Sequence, residues 1–443
     1  MKQWNPVLNI IIEIKNAYLK RFGYITYESV TGYLDKSETC VERWVRELNE
    51  IDSMYLNEKD AMRYAMYKDM FHCLEVNQFD SLILVRYGQC SNIYDGETEN
   101  SGIDFWERYN GFYRECRSVV IDVKNETLIL TPFAKFFNIN ELDETSIENI
   151  RKRIVSAECI EFSDKLDGSM QSARYVDDRI IMAGSQAIDP NKSWRLEDGY
   201  RIIYANPAYE EMLRKNNLYT FIFEYISMRD AHVVKYDKSQ EGLYLIGIRN
   251  VNTGEECDYE TVLRIANMYH IPTTKLFDKT LDQLMNELDS KSSDEAEGFV
   301  INIDGYRVKL KYNDYVYIHK ALSKLPSVNL IIRSIADDTY DDMLAKLPVA
   351  YHDGVKKVAA IVVDYIKRTE ATIDSYFTAA PKHDKKEFMK WCDINVPKEY
   401  RGYVRERYLG NKINVIKKGF GPCAKYKKLK DMGIDDYLSV FRN

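Results

Sequence analysis

The sequence predicts an α+β protein in which antiparallel sheets lie between a helical N-terminal extension and an all-helical C-terminal domain. Apolar residues recur at helical spacing before about residue 75, and strand-like runs separated by turn signals follow from Leu82 to about Tyr317. After that, an apolar stripe at helical spacing runs from Val355 to Ile366. A chain of 443 residues has room for roughly two or three domains, and we place them at 1–75, 76–324 and 325–443.

Local patterns place the individual elements. Three β-hairpins are predicted, at the Asp177-Asp178 turn, at the strand 243–251 that precedes Asn252-Thr253-Gly254, and at Asp304-Gly305, a strong type I′ signal. Helices are predicted at residues 8–19, 41–48, 206–215, 259–269, 343–347, 370–377, 385–391 and 435–441. The middle of the chain is therefore expected to combine antiparallel sheets with a few helices.

Composition excludes several classes of protein. With 45% hydrophobic and 30% charged residues, the chain is neither mainly disordered nor collagen-like. No apolar run approaches ~18 residues, so no membrane span is expected, and Val7–Ile14 is too interrupted for a signal peptide. The eight cysteines show no C-x-x-C pair, which disfavours a zinc ribbon or a disulfide framework. We therefore expect a cytoplasmic protein.

Charge is unevenly distributed along the chain. The net charge of −7 disfavours a non-specific nucleic-acid coat protein, but residues 401–430 carry ten basic residues and one acidic residue. Aromatic residues are interleaved with the basic ones, at Tyr403, Tyr408, Phe420 and Tyr426. This segment is a candidate for contact with RNA through backbone charge and base stacking. A solvated helical face is the alternative.

The motif Lys165-Leu166-Asp167-Gly168-Ser169 is the sharpest chemical signal. By itself it also fits a surface turn that uses Asp-Gly chemistry. As a site, it offers a lysine nucleophile, which neighbouring cations and partial burial would activate by lowering its pKa. Such a lysine could attack the α-phosphorus of a nucleotide and hold the nucleotidyl group, with Gly168 allowing a close approach of the backbone.

Other residues meet the needs of such a site. Glu224 lies in the buried strand 221–226, where a carboxylate needs a partner, and Glu297 precedes the strand 299–301. Lys309 and Lys311 alternate with apolar residues, so both should face one side of a sheet and bind phosphate. Arg117 and Lys135 would border the same face if their strands pair. The pair Phe136-Phe137 could wall the nucleotide slot, although such a pair is more often part of a core.

In order and spacing, these segments resemble the covalent nucleotidyltransferase superfamily of ATP-dependent ligases and capping enzymes, and most closely the RNA ligase 1 family of tailed bacteriophages. The resemblance covers about Leu82 to Lys320. It rests on Glu115-Cys116-Arg117, residues 135–141, Lys165 to Ser169, Phe223-Glu224-Tyr225, residues 245–255, Glu297 to Val300, and Val308 to Lys311 with Tyr315 and His319.

The resemblance implies an antiparallel-sheet, ATP-grasp-like core and a three-step reaction that joins RNA 5′-phosphate and 3′-hydroxyl ends, with ATP and Mg²⁺ (or Mn²⁺). The implied catalytic residues are Lys165, Glu297, Lys309 and Lys311. The implied nucleotide-binding residues are Arg117, Lys135, Phe137, Asp167, Gly168, Glu224 and Tyr315. Metal ligands stay open. The implied partner is single-stranded RNA, including a nicked tRNA, and we expect a monomer in the cytoplasm of a host cell.

The chain departs from the family pattern in places. Ser118 stands where glycine is usual, Ala183 stands where a lysine is common, and Met228 and residues 232–234 differ. One alternative is therefore a protein that binds RNA ends, keeps the nucleotide pocket and no longer seals. A DNA ligase or a GTP-dependent capping enzyme is disfavoured because helices, and no OB-fold pattern, follow the core.

Overall fold

The computed structural model describes residues 3–31, 37–88, 103–230, 233–292, 295–313, 315–316, 328–336, 339–345, 352–411 and 415. Contacts divide the chain into two compact units, Met1–Val316 and Tyr317–Asn443. Helices and antiparallel sheets build the first unit, whereas the described elements of the second are helices. The predicted α+β class is confirmed, and the predicted domain boundaries remain a prediction.

Three helices open the first unit: α1 (Pro6–Phe22), α2 (Cys40–Asn49) and α3 (Glu58–His72). Their caps explain where they begin. The Asn5 side chain accepts hydrogen bonds from two backbone amides of α1, and Thr39 forms a capping box with Glu42 at α2. Two short strands, β1 (Val30–Thr31) and β2 (Ser37–Glu38), pair between α1 and α2. The predicted helical character of this segment is confirmed.

The first sheet lies against these helices. Its strands are antiparallel and in sequential order: β3 (Leu74–Phe79), β4 (Leu82–Tyr87), β5 (Arg117–Asp122) and β6 (Thr127–Leu130). Trp44, Tyr67 and Ile83 are fully buried in one apolar cluster that joins helices and sheet, together with α4 (Ile103–Glu115). The first sheet begins at Leu74, earlier than the predicted Leu82, because the polar residues of the edge strand β3 obscure its alternation. The short pair β1–β2 was not predicted.

The second sheet has the order β10-β9-β11-β12. Its strands are β9 (Ser169–Val176), β10 (Arg179–Gly184), β11 (Tyr219–Ile226) and β12 (Gly242–Asn250), and helices α6 (Trp194–Ala205), α7 (Pro207–Lys215) and α8 (Tyr259–Met268) pack on it. Asp177 and Asp178 both have positive φ, 49° and 58°, in the predicted hairpin turn. The predicted helices at 206–215 and 259–269 are confirmed, and Asn206 caps the first of them.

The third sheet has the order β7-β14-β13-β8, and only its β7–β14 pair is parallel among the described strands. The strands are β7 (Phe137–Asn138), β8 (Ile160–Lys165), β13 (Gly298–Ile303) and β14 (Tyr306–Lys311); α5 (Ile147–Ser156) and α9 (Leu281–Asn286) cover one face. The predicted Asp304-Gly305 hairpin is confirmed, with Ile303 opposite Tyr306.

The second unit consists of helices: α10 (Val328–Ala336), α11 (Tyr340–Ala345), α12 (His352–Ala379), α13 (Lys385–Asn395) and α14 (Lys398–Tyr408). Val355, Val358 and Val362 are fully buried along α12, which confirms the predicted stripe. The predicted helix 370–377 is the second half of α12. The predicted helix 435–441 lies outside the described residues, as do His319, Cys90 and Cys423. No described helix is apolar over a length that could span a membrane.

Acidic neighbours accompany the described part of the basic segment 401–430. Arg405 lies 2.6 Å from Asp393, and Arg407 lies 2.6 Å from Asp374. These pairs are partly exposed, so each contributes little stability. Residues 412–414 and 416–430, which carry most of the predicted basic charge, lie outside the described residues.

Trp4 connects the start of the chain to the end of β12. Its indole Nε1 donates to the Val251 carbonyl oxygen at 2.7 Å, and its ring faces the Arg249 guanidinium at 4.8 Å. A Cβ on Gly254 would stand 2.5 Å from this ring, so only glycine allows the contact. The N-terminal extension is therefore packed into the core of the first unit.

We expect Trp4→Ala to lower the free energy of unfolding by about 2 kcal/mol, because a packed indole and its hydrogen bond are lost. Thermal and urea unfolding would measure the change. Tyr55→Ala is the matched control, since its side chain is an exposed aromatic of the same extension, 67% accessible. An equal loss of stability in the two variants would contradict the packing role of Trp4.

Candidate functional site

Three cross-strand rows of side chains line one face of the third sheet. The registers of β8, β13 and β14 define them as Lys165–Gly298–Lys311, Ser163–Val300–Lys309 and Glu161–Asn302–Arg307. Residues of a strand that are two apart share a face, so the rows stand side by side. A cavity of about 330 Å³ lies over the second and third rows and over Lys165 of the first, and Phe133, Phe136 and Glu224 form part of its remaining lining.

One carboxylate joins two lysines at the first row. Glu297 Oε2 lies 2.7 Å from Lys165 Nζ, and Glu297 Oε1 lies 2.9 Å from Lys311 Nζ. The Glu297 side chain is only 3% exposed. Burial would raise the pKa of this carboxyl, but the two ammonium groups hold it below its usual value. Glu297 is therefore ionised and orients both lysines.

The protonation of Lys165 differs from the expectation. Burial lowers the pKa of its ammonium, but the carboxylates of Glu297 and Glu224 outweigh burial and raise the pKa above its ordinary value. The predicted lowering of this pKa is therefore wrong, because a carboxylate and not a cation is the nearest charge. Lys165 must lose a proton before it can act as a nucleophile.

A lysine with a lowered pKa is present in the cavity, but it is Lys309 and not Lys165. Burial, together with the cations Arg117, Lys135, Lys165 and Lys311, brings the pKa of Lys309 well below its usual range. Burial also lowers the pKa of Arg117. Lys309 lies opposite Val300, so it shares the cavity face with Lys311, as the alternation predicted. A half-buried group of cations such as this one favours the binding of an anion.

Arg117 and Lys135 reach this group from outside the third sheet. Arg117 belongs to β5 of the first sheet, so its strand does not pair with that of Lys309. Strand pairing, the condition under which a shared face was predicted, is therefore not met for Arg117. The Arg117 guanidinium lies 4.8 Å from the centre of the Phe136 ring, and Lys309 Nζ lies 4.6 Å from it. Arg117 of the first sheet and Lys309 of the third sheet thus both contact the ring of Phe136.

Phe137 and its neighbour Phe136 face opposite ways. Phe137 is 2% exposed and packs its ring 5.3 Å from that of Trp106, within the N-terminal apolar cluster. Lys135 Nζ lies 5.1 Å from the Phe137 ring. Phe136, which the sequence analysis did not select by itself, lines the cavity with Phe133. Alternation of side chains along an extended segment explains the opposite orientations.

Gly168 and Glu224 lie at the side of the cavity next to Lys165. The Gly168 amide donates to Glu224 Oε1 at 3.1 Å, and a Cβ at Gly168 would stand 2.6 Å from the Tyr225 carbonyl oxygen. Glycine is thus required here by the close approach of β11. Burial and the nearby carboxylates raise the pKa of Glu224 to about 7, against the opposing effect of Lys165.

Asp167 and Tyr315 hold the motif loop from outside the cavity. Asp167 Oδ2 accepts hydrogen bonds from the amides of Val233, at 2.8 Å, and Val234, at 3.0 Å. The Tyr315 hydroxyl donates to Asp167 Oδ1 at 3.1 Å, and the Asp167 amide donates to the Tyr236 hydroxyl at 2.8 Å. This network fixes the backbone that follows Lys165.

The departures at 118 and 183 have structural explanations. Ser118 has a φ of 64°, in the left-handed region that glycine favours, and its hydroxyl donates to the Ser185 carbonyl oxygen at 2.7 Å. Ala183 is 1% exposed and belongs to an apolar cluster with Leu84 and Val120. A lysine side chain at position 183 would enter this cluster. Met228 is exposed, and His232 lies outside the described residues.

Two features of the site were missed by sequence reasoning. The Glu115 carboxylate and the Arg249 guanidinium form two hydrogen bonds of 2.9 Å, and Arg249 also donates to the Pro132 carbonyl oxygen at 2.8 Å. This buried pair ties β12 to the segments that flank β5. The second feature is the polar row of Glu161 and Asn302. A polar residue inside an apolar strand was the available signal in both cases.

Known proteins share the segment that builds this cavity. Residues 115–321 match the model of a family described as RNA ligase. A protein of Thermovibrio ammonificans named as an RNA ligase is 26% identical over 246 residues, which are 51% of this chain and 60% of that protein. A protein of Autographa californica nuclear polyhedrosis virus, named as a bifunctional polynucleotide kinase/RNA ligase, is 24% identical over 252 residues, 53% of this chain and 35% of the viral protein.

The chain thus spans less than two thirds of the length of each of these two relatives. A solved archaeal ATP-dependent RNA ligase is 11% identical, covers 70% of this chain and 79% of its own, and superposes with a TM-score of 0.40. A TM-score this low does not establish a shared fold. The match of residues 115–321 to the RNA ligase family model confirms the resemblance that the motifs indicated.

Proposed function

We propose that this chain is an ATP-dependent RNA ligase that joins 5′-phosphate and 3′-hydroxyl ends of single-stranded RNA through a covalent lysyl-AMP. The observation that carries the proposal is the half-buried cation group around Lys309, which lies beside Lys165 in one cavity. Cations that are desolvated and close together favour a polyanion such as a triphosphate. The family match of residues 115–321 supports the same activity.

The dimensions of the cavity face fit a nucleotide. From the row of Lys165 to the row of Glu161 there are four residues of β8, or about 13 Å of strand. This distance suits a nucleoside monophosphate that extends from Lys165 along the strands. Phe136 and Val300 would then lie against the nucleoside, between the phosphate end and the polar end of the cavity.

The polar end supports adenine as the base. Asn302 Nδ2 donates to Glu161 Oε2 at 2.7 Å, and the Tyr259 amide donates to Glu161 Oε1 at 2.6 Å. Because an ionised carboxylate only accepts hydrogen bonds, the Asn302 amide must turn its nitrogen to Glu161. Its oxygen remains as an acceptor, which suits the amino group of adenine better than the carbonyl oxygen of guanine.

The reaction would proceed in three displacements. Lys165 Nζ, after losing a proton, attacks the α-phosphorus of ATP; an N–P bond forms, the bond to the β-phosphate oxygen breaks, and pyrophosphate leaves. An oxygen of the RNA 5′-phosphate then attacks the same phosphorus, and Lys165 leaves and regains a proton. Finally the 3′-hydroxyl attacks the RNA 5′-phosphate, loses its proton and expels AMP.

The proposed roles of the other residues follow from their positions. Glu297 orients Lys165, and Lys309 and Lys311 stabilise the charge that develops on the phosphates. Glu224, when ionised, accepts hydrogen bonds from the ribose hydroxyls. We assign phosphate contact to Arg117 and Lys135. Gly168 allows the loop to approach β11 closely. Three residues support the site from outside the cavity: Asp167, Tyr315 and Phe137.

Divalent metal is expected to accompany ATP. Within the described ranges, no group of three His, Cys, Asp or Glu side chains could hold a metal ion. Mg²⁺ usually keeps several waters and binds through substrate phosphates, as Mn²⁺ would here, so a protein cage is not required.

The finer assignments belong to this proposal as well. The RNA substrate is proposed to be a nicked tRNA, which residues 401–430 contact. The protein is proposed to be a monomer that acts in the cytoplasm of a phage-infected host cell. The sequence resemblance supports them.

We expect Lys165→Ala to abolish the covalent adenylate, because no other nucleophile replaces the lysine amine. Incubation with α-labelled ATP and Mg²⁺, followed by denaturing electrophoresis, would detect the labelled band. Lys152→Ala, an exposed lysine on α5, is the control and should label normally. A labelled Lys165→Ala variant would refute the assignment of Lys165 as the nucleophile. A wild-type band that appears with GTP alone would indicate a capping enzyme. No wild-type band with either nucleotide would favour a non-sealing protein that binds RNA ends.

Formation of lysyl-AMP at low ATP should rise with pH around an inflection at about 7. Glu224 has a raised pKa of about 7, so its carboxyl is neutral below that pH and ionised above it. The ionised form offers two strong acceptor oxygens to the two ribose hydroxyls, whereas in the neutral form one of these oxygens carries a proton and accepts only weakly. Glu224→Gln should remove this inflection and leave the further rise that deprotonation of Lys165 causes at higher pH. A wild-type profile without an inflection near neutrality would refute this role of Glu224.

Lys309→Met and Lys311→Met should have opposite effects on stability while both abolish AMP transfer. Met at 309 removes a desolvated charge that has four cationic neighbours, so we expect about 1 kcal/mol of added stability and a Tm higher by about 2–4 °C. Met at 311 removes one of the two ammonium partners of buried Glu297, so Tm should fall. Calorimetry of the two variants measures the difference; Tm changes of the same sign would contradict this electrostatic arrangement.

A further inference from the structure

A second cavity, of about 500 Å³, opens beside the first. The two cavities share Ser169, Met170 and Ser185 as lining residues. Ser169 follows Lys165 by four residues, so the second cavity begins close to the proposed site of AMP attachment. The rest of its wall comes from the end of β10, the loop that follows it, and the first turn of α6.

The chemistry of the second cavity suits a sugar–phosphate backbone. Its polar side chains are mostly amides and hydroxyls, which bind ribose and phosphate oxygens. They are Asn77, Gln78, Ser169, Gln171, Ser185, Gln186 and Ser193, and the charged residues are Asp189, Lys192 and Arg195. Asp189 is engaged within its own loop, because its Oδ1 accepts a hydrogen bond from the Asn191 amide at 3.0 Å. Asp189 also lies 3.8 Å from Lys192 Nζ. Lys192 and Arg195 are the cations of the cavity wall, and each is paired with a carboxylate.

Arg195 is held in place by a buried carboxylate. Asp230 is 4% exposed; its Oδ2 accepts from Arg195 Nε at 2.6 Å, and its Oδ1 accepts from Arg195 Nη2. The same Oδ2 accepts from the Ser169 hydroxyl at 2.7 Å. Asp230 thus connects Ser169 of the nucleophile motif to Arg195. The Nη1 group of the Arg195 guanidinium is directed away from this carboxylate.

Stacking adds to this order. The Arg195 guanidinium lies 4.7 Å from the Trp194 ring centre, and the Arg229 guanidinium lies 4.4 Å from the same ring. A guanidinium that is stacked and paired loses little freedom when it binds phosphate. Trp194 and Arg195 begin the twelve-residue helix α6, whose amino-terminal dipole also favours an anion.

We propose that the second cavity binds the RNA strand that receives AMP, with Arg195 and Lys192 contacting its phosphates next to the 5′ end. This inference rests on the proposed function, since it names how the second substrate reaches the lysyl-AMP. The 5′-phosphate would cross the shared wall at Ser169 and Ser185 to attack the α-phosphorus. Asp230 is then a positioning residue that acts through Arg195.

Binding of RNA tests this proposal independently of any reaction. Fluorescence anisotropy with a 5′-phosphorylated oligoribonucleotide should show about tenfold weaker binding for Arg195→Ala, the effect of losing one charge-assisted contact. Arg201→Ala is the matched control on α6, because this arginine is 73% exposed and lies outside the cavity lining. Its affinity should stay within about twofold of the wild type. Equal affinities of the two variants would overturn the proposal.

Arg195→Ala could weaken RNA binding by disturbing the fold around Asp230, so a second variant tests the same cavity at a different residue. Lys192 is 71% exposed and its Nζ lies 3.8 Å from an Asp189 carboxylate oxygen, a long contact whose loss should cost little stability. Lys192→Ala should lower the slope of log affinity against log salt by about 0.7, the value for one phosphate contact of a single strand. An unchanged slope would exclude Lys192 from the RNA site.

The step that uses the cavity can be measured on purified lysyl-AMP enzyme. In single turnovers, Arg195→Ala should need about tenfold more RNA than wild type to reach half the maximal rate of AMP transfer. Sealing of preformed adenylylated RNA, measured separately for its dependence on the adenylylated strand and on the 3′-hydroxyl strand, is the comparison assay. A defect confined to the 3′-hydroxyl strand in that assay would overturn the assignment of the cavity. If no lysyl-AMP forms at all, the proposed function fails, and the binding comparison still decides whether this cavity takes RNA.

Discussion

The shared carboxylate of Glu297 is the interaction on which the rest of the site depends. It joins the end of β8, at Lys165, to the end of β14, at Lys311, directly before β13 begins. The backbone can enter β13 here only as glycine, because a Cβ on Gly298 would stand 2.2 Å from the Leu310 carbonyl oxygen. Removing one partner of a buried ion pair typically costs about 3–5 kcal/mol. The alignment of the three strands, and with it the three rows of the cavity face, is therefore coupled to the charge balance at one glutamate.

The two halves of the cavity floor differ in electrostatic character. Around Glu297 the charges are compensated, and the pKa of Lys165 is raised. Around Lys309 the charges are all of one sign, and the pKa of the lysine falls. The first half is stable by itself, whereas the second is costly until an anion arrives. Binding of a phosphate group would relieve this repulsion, so part of the free energy of substrate binding is stored in the fold.

Local signals predicted much of the fold. The Asp177-Asp178 and Asp304-Gly305 turns were predictable because positive φ at both central positions depends on the turn residues themselves. The helix 194–205 was missed, because its apolar spacing is weak and Gly199 interrupts it. Of the candidate site residues, Lys165 and Lys309 line the cavity, and Glu297 joins Lys165 to Lys311. Their chemical roles stay predictions. The sign of the pKa shift at Lys165 could not be predicted, because it depends on the contact with Glu297, 132 positions away. The sheet to which Arg117 belongs depends on pairing with β4 and β6, which the motifs of the site do not specify.

The contact between Trp4 and Val251 has a consequence for the order of folding. These residues are separated by 247 positions, and the helices around Trp44 and Tyr67 bury one face of the first sheet. During synthesis, the amino-terminal helices must therefore wait for β12 to leave the ribosome before their last contact can form, and such long-range closure slows folding. A fragment trimmed to residues 115–321 would lack those helices and expose the apolar face that they cover. The segment that matches the family model is thus stabilised by helices that lie outside it.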